Sequence, residues 1–363
     1  MIDYAQRQAR LMRSLDADCF LVVHLETTDP DRASMFYLTG YHGFGVLMVT
    51  PERIHAYASR TNIGMASAEA PHLDWQVLDW EYQEAIVGLL RQHGFRRVGL
   101  ASRRIGWLTG RALEAARVCQ LIVDEDPVGC VRVIKDAEEI ARIRHATEIT
   151  EEALEDTLAI VRPGMTEGEV AWHLECEMRK RGAEAVGFDL IVSAGANSAL
   201  PHHVPADQKL SSGDVLLFDI GASYRGYLSD ITRVVSIGRA PDTLRRVYDI
   251  VLEANLAGLA AFAPGVSGPT VDKVARGVIE RAGYGEQYSH GLSHGVGIEI
   301  HEAPVSAGAK AVAAYGPGMV CTAEPGIYWS GLGGIRIEDM LVITDSGCEV
   351  LSHFPKDRLI EVG

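Results

Sequence analysis

No two of the six cysteines (Cys19, Cys119, Cys130, Cys176, Cys321 and Cys348) form a CxxC pair or share a short repeated spacing. They read as reduced thiols in a reducing compartment rather than as a disulfide framework. Positive charge is scarce as well. Against 49 aspartates and glutamates stand 34 lysines and arginines, a formal charge of −15 that argues against a nucleic-acid backbone as partner. Long apolar runs are missing: FGVLMV falls far short of the ~20 residues a spanning helix needs. The opening MIDYAQRQARLMRSLDADCFLVV lacks the apolar core of a signal peptide. There is no GxSxG elbow and no Walker A lysine, and GYGEQYSHG does not follow a strand as a dinucleotide loop would. The expectation is a soluble, cytoplasmic protein without nucleic-acid or membrane partners. With 363 residues, 47% of them hydrophobic, its core needs no disulfide or structural metal.

Residues 1–130 alternate β-rich runs (DCFLVV, GVLMVT, IHAYAS, RRVGLAS, QLIVDED) with amphipathic helical ones (YAQRQARLMRSL, YQEAIVGLLRQHG, LTGRALEAARVC). That pattern predicts an α/β domain, with Gly94 closing the middle helix. The boundary falls near 125–135, ahead of a long helical stretch from Asp136 to Val161. Residues 131–363 form the second domain, and it contains a repeat. PGMTEGEV at 163–170 matches PGVSGPTV at 264–271, and both lead into helical runs that end at Gly182 and Gly283. Further on, GDVLLFDIG at 213–221 aligns with GMVCTAEPG at 318–326, placing Asp219 and Glu324 six residues after one glycine and two before the next. Each copy then has a second acid on a following strand, Asp230 in GYLSDITRVV and Glu338 in GIRIEDMLVI.

Packed symmetrically, the two copies bring these four carboxylates to one buried centre. Four ionised carboxylates together are unstable unless protonated or bound to cations. Two divalent ions supply about the right compensating charge. The nitrogen comes from SHGLSHGVGIEIHE at 289–302, where His294 is the candidate ligand on a glycine-flexed segment. The HExxH arrangement is excluded, because His301-Glu302 has no histidine at the required spacing and the glycines oppose a helix. A mixed oxygen and nitrogen set suits Mn, Co or Zn better than Ca. His202 and His203, in SALPHHVP, are weaker candidates. Arg336 shares a strand face with Glu338, which places a guanidinium to orient that carboxylate.

The ordered set SALPHH, LLFDIGASYRGYLSDITR, HGLSHGVGIEIHE, TAEPGIY and GIRIED resembles the metal-dependent pita-bread peptidases, especially prolidases and aminopeptidase P. The resemblance covers the second domain, and the first has the size and a YLTGY-type segment of two-domain members. It implies an α+β chain: an N-terminal α/β creatinase-like domain followed by a C-terminal pita-bread domain with a pseudo-twofold repeat. It implies that Asp219, Asp230, His294, Glu324 and Glu338 bind two divalent ions (manganese first, cobalt or zinc as alternatives), with Asp230 and Glu338 bridging. His202, His290 and His301 match the family's non-ligand histidines, and Arg336 joins them and Glu324 among the catalytic candidates. The implied substrate is a small peptide with proline at its second position. By the same resemblance Glu324 would take the proton of the attacking water, His301 would stabilise the oxyanion, and His202 and His290 would hold the substrate. His203 stands where glycine is common, and Ser293 where another glycine is frequent; both departures bear on substrate preference. The resemblance leaves an Xaa-Pro dipeptidase beside an aminopeptidase acting on longer peptides, with a homodimer as the assembly. Rival readings are a hydrolase or lyase of another small molecule and a non-catalytic binding module. Creatinase-like enzymes work without metal and lose ligands that are all present here.

Overall fold

Seven consecutive residues, Cys19–Leu25, are buried, so CFLVVHL carries no polar alternation and lies inside a mixed sheet. This computed structural model describes residues 2–26 and 28–363, and the chain forms two units, Met1–Arg132 and Val133–Gly363. In the first, the sheet runs Trp75–Leu78, Ile54–Ser59, Gly45–Val49, Cys19–Leu25, Arg97–Ala101, Gln120–Asp124, with the short Asp29–Pro30 beside Cys19–Leu25. Helices Tyr4–Arg13, Tyr82–His93 and Trp107–Ala116 form at the expected runs, and Gly94 ends the second at φ 70°. Helix Arg32–Thr39 escaped the sequence reading because Ala33 to Thr39 are all buried, which erases the amphipathic period. Helix Ile63–Glu69 and strand Trp75–Leu78 escaped it too, being short.

The second unit opens with helix Ala137–Leu158, started by a capping box between Asp136 and Glu139. The repeat then appears twice in space. Gly164 and Gly265, at φ 90° and 82°, turn the chain toward helices Glu167–Lys180 and Gly268–Arg281; Gly182 and Gly283, at φ 96° and 88°, lead it away. In the first copy, strand Ile191–Ala194 pairs antiparallel with Val215–Ile220, setting Ile191 opposite Asp219. In the second, the irregular segment around His294 takes the matching place beside Val320–Ala323. There the Glu324 N–H donates to the Leu292 carbonyl and the Thr322 N–H to the His294 carbonyl, both at 2.9 Å. Each hairpin closes with a second strand, Ile231–Ile237 and Asp339–Ile343.

An antiparallel bridge between Thr232 and Glu338 joins the two hairpins. Buried aliphatic residues of helices Asp242–Ala261 and Gly268–Arg281, among them Val251, Ala254, Val271 and Ala275, form one core with Leu217, Val234 and Leu341 of the strands. Within this frame Asp219 and Glu324 end the first strands of their hairpins, while Asp230 and Glu338 stand one residue before the second strands. Among the described residues, no helix is long and apolar enough to cross a membrane.

Candidate metal centre

A cavity of about 510 Å³ in the second unit is lined by Asp219, Asp230, His290, His294, Glu324 and Glu338, with His202, His301, Tyr328 and Arg336 also on its wall. Asp230, His294 and Glu338 each offer a ligand atom within 4.8 Å of the others. Glu324 adjoins this group, its Oε1 3.3 Å from His294 Nε2. Asp219 is turned aside, its Oδ2 accepting from Arg336 Nη2 at 2.5 Å.

Hydrogen bonding settles what His294 presents. Its Nδ1 lies 3.2 Å from the Gly295 carbonyl, which can only accept, so Nδ1 carries the proton and Nε2 is a bare lone pair. That lone pair faces Glu324 at 3.3 Å and Asp230 Oδ2 at 3.6 Å. Burial, then the neighbouring His301, pushes the imidazole down to about 3, so it stays neutral. A neutral nitrogen and two carboxyl groups therefore crowd their lone pairs into one space, which a proton or a cation has to fill. Asp230 adds a second mismatch: its Oδ1 is buried with no hydrogen-bond partner among the described residues.

The carboxylates strain in the same sense. Burial, and then Glu338, holds Asp230 well above the usual carboxylate range, and the same two causes raise Glu324. Burial and then Asp219 push Glu338 up to about 8. Arg336 is the only lysine or arginine among the described residues lining the cavity. A divalent cation would relieve all of these at once, since it takes exactly such orphaned oxygens and a bare imidazole nitrogen as ligands. The donor set fits the group that the sequence implies.

Two sequence expectations change. Arg336 was expected to orient Glu338. Instead its guanidinium pairs directly with Asp219 and reaches Glu338 only through Thr232, whose Oγ1 accepts from Arg336 Nε at 3.0 Å and donates to Glu338 Oε2 at 2.7 Å. The two histidines of SALPHH also part company. His202 is exposed on the cavity wall, whereas His203 turns away to the buried Glu167. His290 uses both ring nitrogens, Nδ1 toward the Gly291 carbonyl at 2.9 Å and Nε2 toward the Tyr328 hydroxyl at 2.9 Å. His301 stands at the exposed rim with its ring 4.3 Å from that of His294.

Several contributing residues went unread in the sequence. Tyr328 links His290 to Arg336, whose Nη1 donates to its hydroxyl at 2.7 Å. Behind the site, the Asn255 amide donates to the carbonyls of Ala323 and Ile337, the residues just before Glu324 and Glu338, at 3.0 and 3.3 Å. Arg233 donates to the Thr232 and Glu338 carbonyls at 2.9 and 2.5 Å and pairs with Asp339 at 2.8 Å. The signal for Asn255 was present, as an amide set in the apolar face of VLEANLAGLAA.

Residues 141–345, more than half of the chain, match the metallopeptidase family M24. The chain belongs to that family. Residues 5–134 match the Creatinase/Prolidase N-terminal domain. An Xaa-Pro dipeptidase of Pyrococcus horikoshii is 34% identical over 331 residues, covering 90% of this chain and 92% of that protein. An uncharacterized peptidase of Bacillus subtilis is 39% identical over 268 residues, covering 74% and 76%. Among solved structures, an Xaa-Pro dipeptidase from Bacillus anthracis superposes with a TM-score of 0.92 at 33% identity, covering 99% of this chain and 100% of that one. An X-Pro aminopeptidase from Thermotoga maritima gives 0.91 at 36%, with the same coverage. The α+β architecture of this M24 chain, with its creatinase-type first domain, is thus shared along its length.

Proposed function

We propose that this M24 chain hydrolyses Xaa-Pro peptide bonds with two divalent metal ions, foremost in dipeptides. The observation that carries the reading is the neutral His294, its bare Nε2 aimed into a cluster of buried carboxylates. Asp219, Asp230, His294, Glu324 and Glu338 would hold the ions. Bound ions of this kind polarise the scissile carbonyl and acidify a coordinated water. Manganese stands first for this oxygen-rich set, with cobalt and zinc as alternatives.

The chain's own groups do the rest. Glu324 takes the proton of the attacking water and passes it to the leaving nitrogen. Arg336 holds the Asp219 carboxylate in one orientation for the ions, and Tyr328 holds the His290 ring so that it presents a fixed edge to the substrate. His202 and His301, at the exposed rim, meet the peptide as it enters, and His301 stabilises the charge that develops on its carbonyl oxygen. The apolar wall of Phe188, Ile191, Pro201, Ile300 and Val305 suits a pyrrolidine ring, whose nitrogen bears no hydrogen in an Xaa-Pro bond. A homodimer in the cytoplasm completes the reading, and analytical ultracentrifugation checks the assembly.

A second reading, an aminopeptidase acting on longer Xaa-Pro peptides, is favoured by the likeness to the Thermotoga maritima enzyme. Dialysed protein assayed with and without Mn²⁺ or Co²⁺ on an Xaa-Pro dipeptide and on a longer Xaa-Pro peptide separates the two. Metal-stimulated cleavage of the dipeptide alone supports the dipeptidase, and cleavage of both supports the aminopeptidase. No metal-stimulated cleavage of either refutes the proposal.

A further inference from the structure

Glu167 is completely buried, at the first position of helix Glu167–Lys180, and all four of its acceptor sites are filled. Its Oε1 accepts from the Ala194 N–H at 2.7 Å and the Asn197 amide at 3.0 Å. Its Oε2 accepts from His203 Nε2 at 2.7 Å and the Ala206 N–H at 3.3 Å. One carboxylate thus gathers both ends of the 194–206 segment, which carries Pro201 and His202 into the cavity wall. The start of that segment is fixed independently, because strand Ile191–Ala194 pairs with the Asp219 strand. Its far end is held again by backbone bonds, from the Glu167 N–H to the Gln208 carbonyl and from the Gly168 N–H to the Ala206 carbonyl, both at 3.0 Å. Between these anchors, Ser198 fixes the first turn, its Oγ accepting from the Gly334 N–H at 2.8 Å, and His203 is the side chain that ties down the stretch beyond it, next to His202. Leu200 and Val204 on either side of the pair are exposed, at 55% and 75%, and cannot anchor it by burial.

From this geometry we infer that His203 is a positioning residue: its Nε2–H, latched to Glu167, holds the loop so that His202, and not His203, faces the substrate cavity. The tautomer follows from the partner, since a carboxylate already accepting N–H groups can only accept. A charge-assisted bond to a buried carboxylate is of the stronger kind, and without it Oε2 keeps only the long contact to Ala206. The stretch beyond Ser198 then loses its side-chain anchor, and His202 is no longer pre-oriented for the peptide. Such a loss falls on substrate binding rather than on the chemical step.

The kinetic arm of the test rests on the proposed Xaa-Pro activity. His203→Ala is expected to raise KM for an Xaa-Pro dipeptide about tenfold (~1.4 kcal/mol), with kcat within about twofold of the native value and Co²⁺ absorption bands unmoved. His203→Gln, whose amide also donates, is expected to restore KM to within about threefold of native. An unchanged KM in His203→Ala, a kcat loss as large as the KM change, or failure of glutamine to rescue overturns the inference. A second arm needs no turnover. In histidine-selective ¹⁵N NMR of the native protein, His203 is expected as the Nε2–H tautomer with that proton protected from solvent exchange, and Glu167→Gln is expected to remove the protection. A His203 proton exchanging as fast as that of the exposed His202 overturns the latch even if His203→Ala fails to fold. A native protein that cleaves no Xaa-Pro bond refutes the proposed function and leaves the latch to this second arm.

Discussion

Stripping divalent ions from the protein leaves Asp230, Glu324 and Glu338 buried together, and the cost is read in the pH dependence of unfolding. Glu338 is pushed from 4.5 up to about 8 in the metal-free fold, by burial first and then by Asp219. Between those values the native state holds a proton that the unfolded chain has released, so metal-free stability falls as pH rises. His290 and His294 act in the opposite sense. Burial lowers them from 6.5 to about 4 and about 3, so the unfolded chain binds the extra protons and stability rises with pH until 6.5. Below 6.5 the two effects oppose each other; between 6.5 and 8 the carboxylates act alone. One proton over that window of about 1.5 pH units amounts to ~2 kcal/mol for Glu338. Asp230 and Glu324, raised for the same reasons, add in the same direction. Urea unfolding of EDTA-treated protein should therefore show stability falling by ~2 kcal/mol from pH 6.5 to 8, the three carboxylates together. Saturating Mn²⁺ should cancel the decline, contributing about 2.7 kcal/mol at a hundredfold excess over Kd. A metal-free protein as stable at pH 8 as at 6.5, or equally stabilised by Mn²⁺ at pH 5, would show that these carboxylates do not form one ion-seeking cluster.

Three substitutions test the rest of the site. Glu324→Gln should cut turnover by at least about a hundredfold, the scale of a lost general base, while circular dichroism shows the fold retained; surviving activity removes Glu324 from its assigned role. Asn255→Leu frees the Ala323 and Ile337 carbonyls behind Glu324 and Glu338. It should weaken Co²⁺ binding about tenfold by isothermal titration, as expected when a ligand loses its supporting contact. Tyr328→Phe strands the His290 nitrogen and an Arg336 N–H together. It should cost about 1–3 kcal/mol of stability in urea unfolding, and an unchanged midpoint would mean that water replaces the hydroxyl.

What was legible in the sequence was whatever repeats or alternates. The glycines at 164, 182, 265 and 283 mark helix approaches and exits because their backbones lie at positive φ, where other residues are strained. The acids were legible because each lies at a strand end in a duplicated hairpin, and register carries them to one cavity. Pairing between distant side chains was not legible. Arg336 and Glu338 line one cavity two residues apart, yet the guanidinium is long enough to pass its neighbour and reach Asp219, 117 positions away. Likewise Asp339, next to Glu338 in GIRIED, points to the opposite side, where Arg233 and Lys356 neutralise it and hold its carboxyl down to about 2 against the effect of burial. Adjacent acids in one motif thus meet opposite electrostatic surroundings, a difference set by the fold and invisible in composition.

The pseudo-twofold repeat also explains why the donor set is lopsided. Leu217 and Thr322 occupy matching places two residues before Asp219 and Glu324, and their partners across the adjoining strand are Ser193 and His294. The second copy therefore contributes an imidazole where the first has a hydroxymethyl group too short to serve as its equivalent. Asymmetry continues one layer out. The first copy places Glu167 at the start of its helix, where it gathers the His202 loop, whereas the matching Gly268 lets the backbone at Val305 and Ser306 approach so closely that a side chain would collide. One half keeps its loop at a distance on a carboxylate, and the other draws its loop in against bare backbone. Two copies of one supersecondary unit thereby present unlike walls to a single cavity, as a substrate with chemically different ends requires.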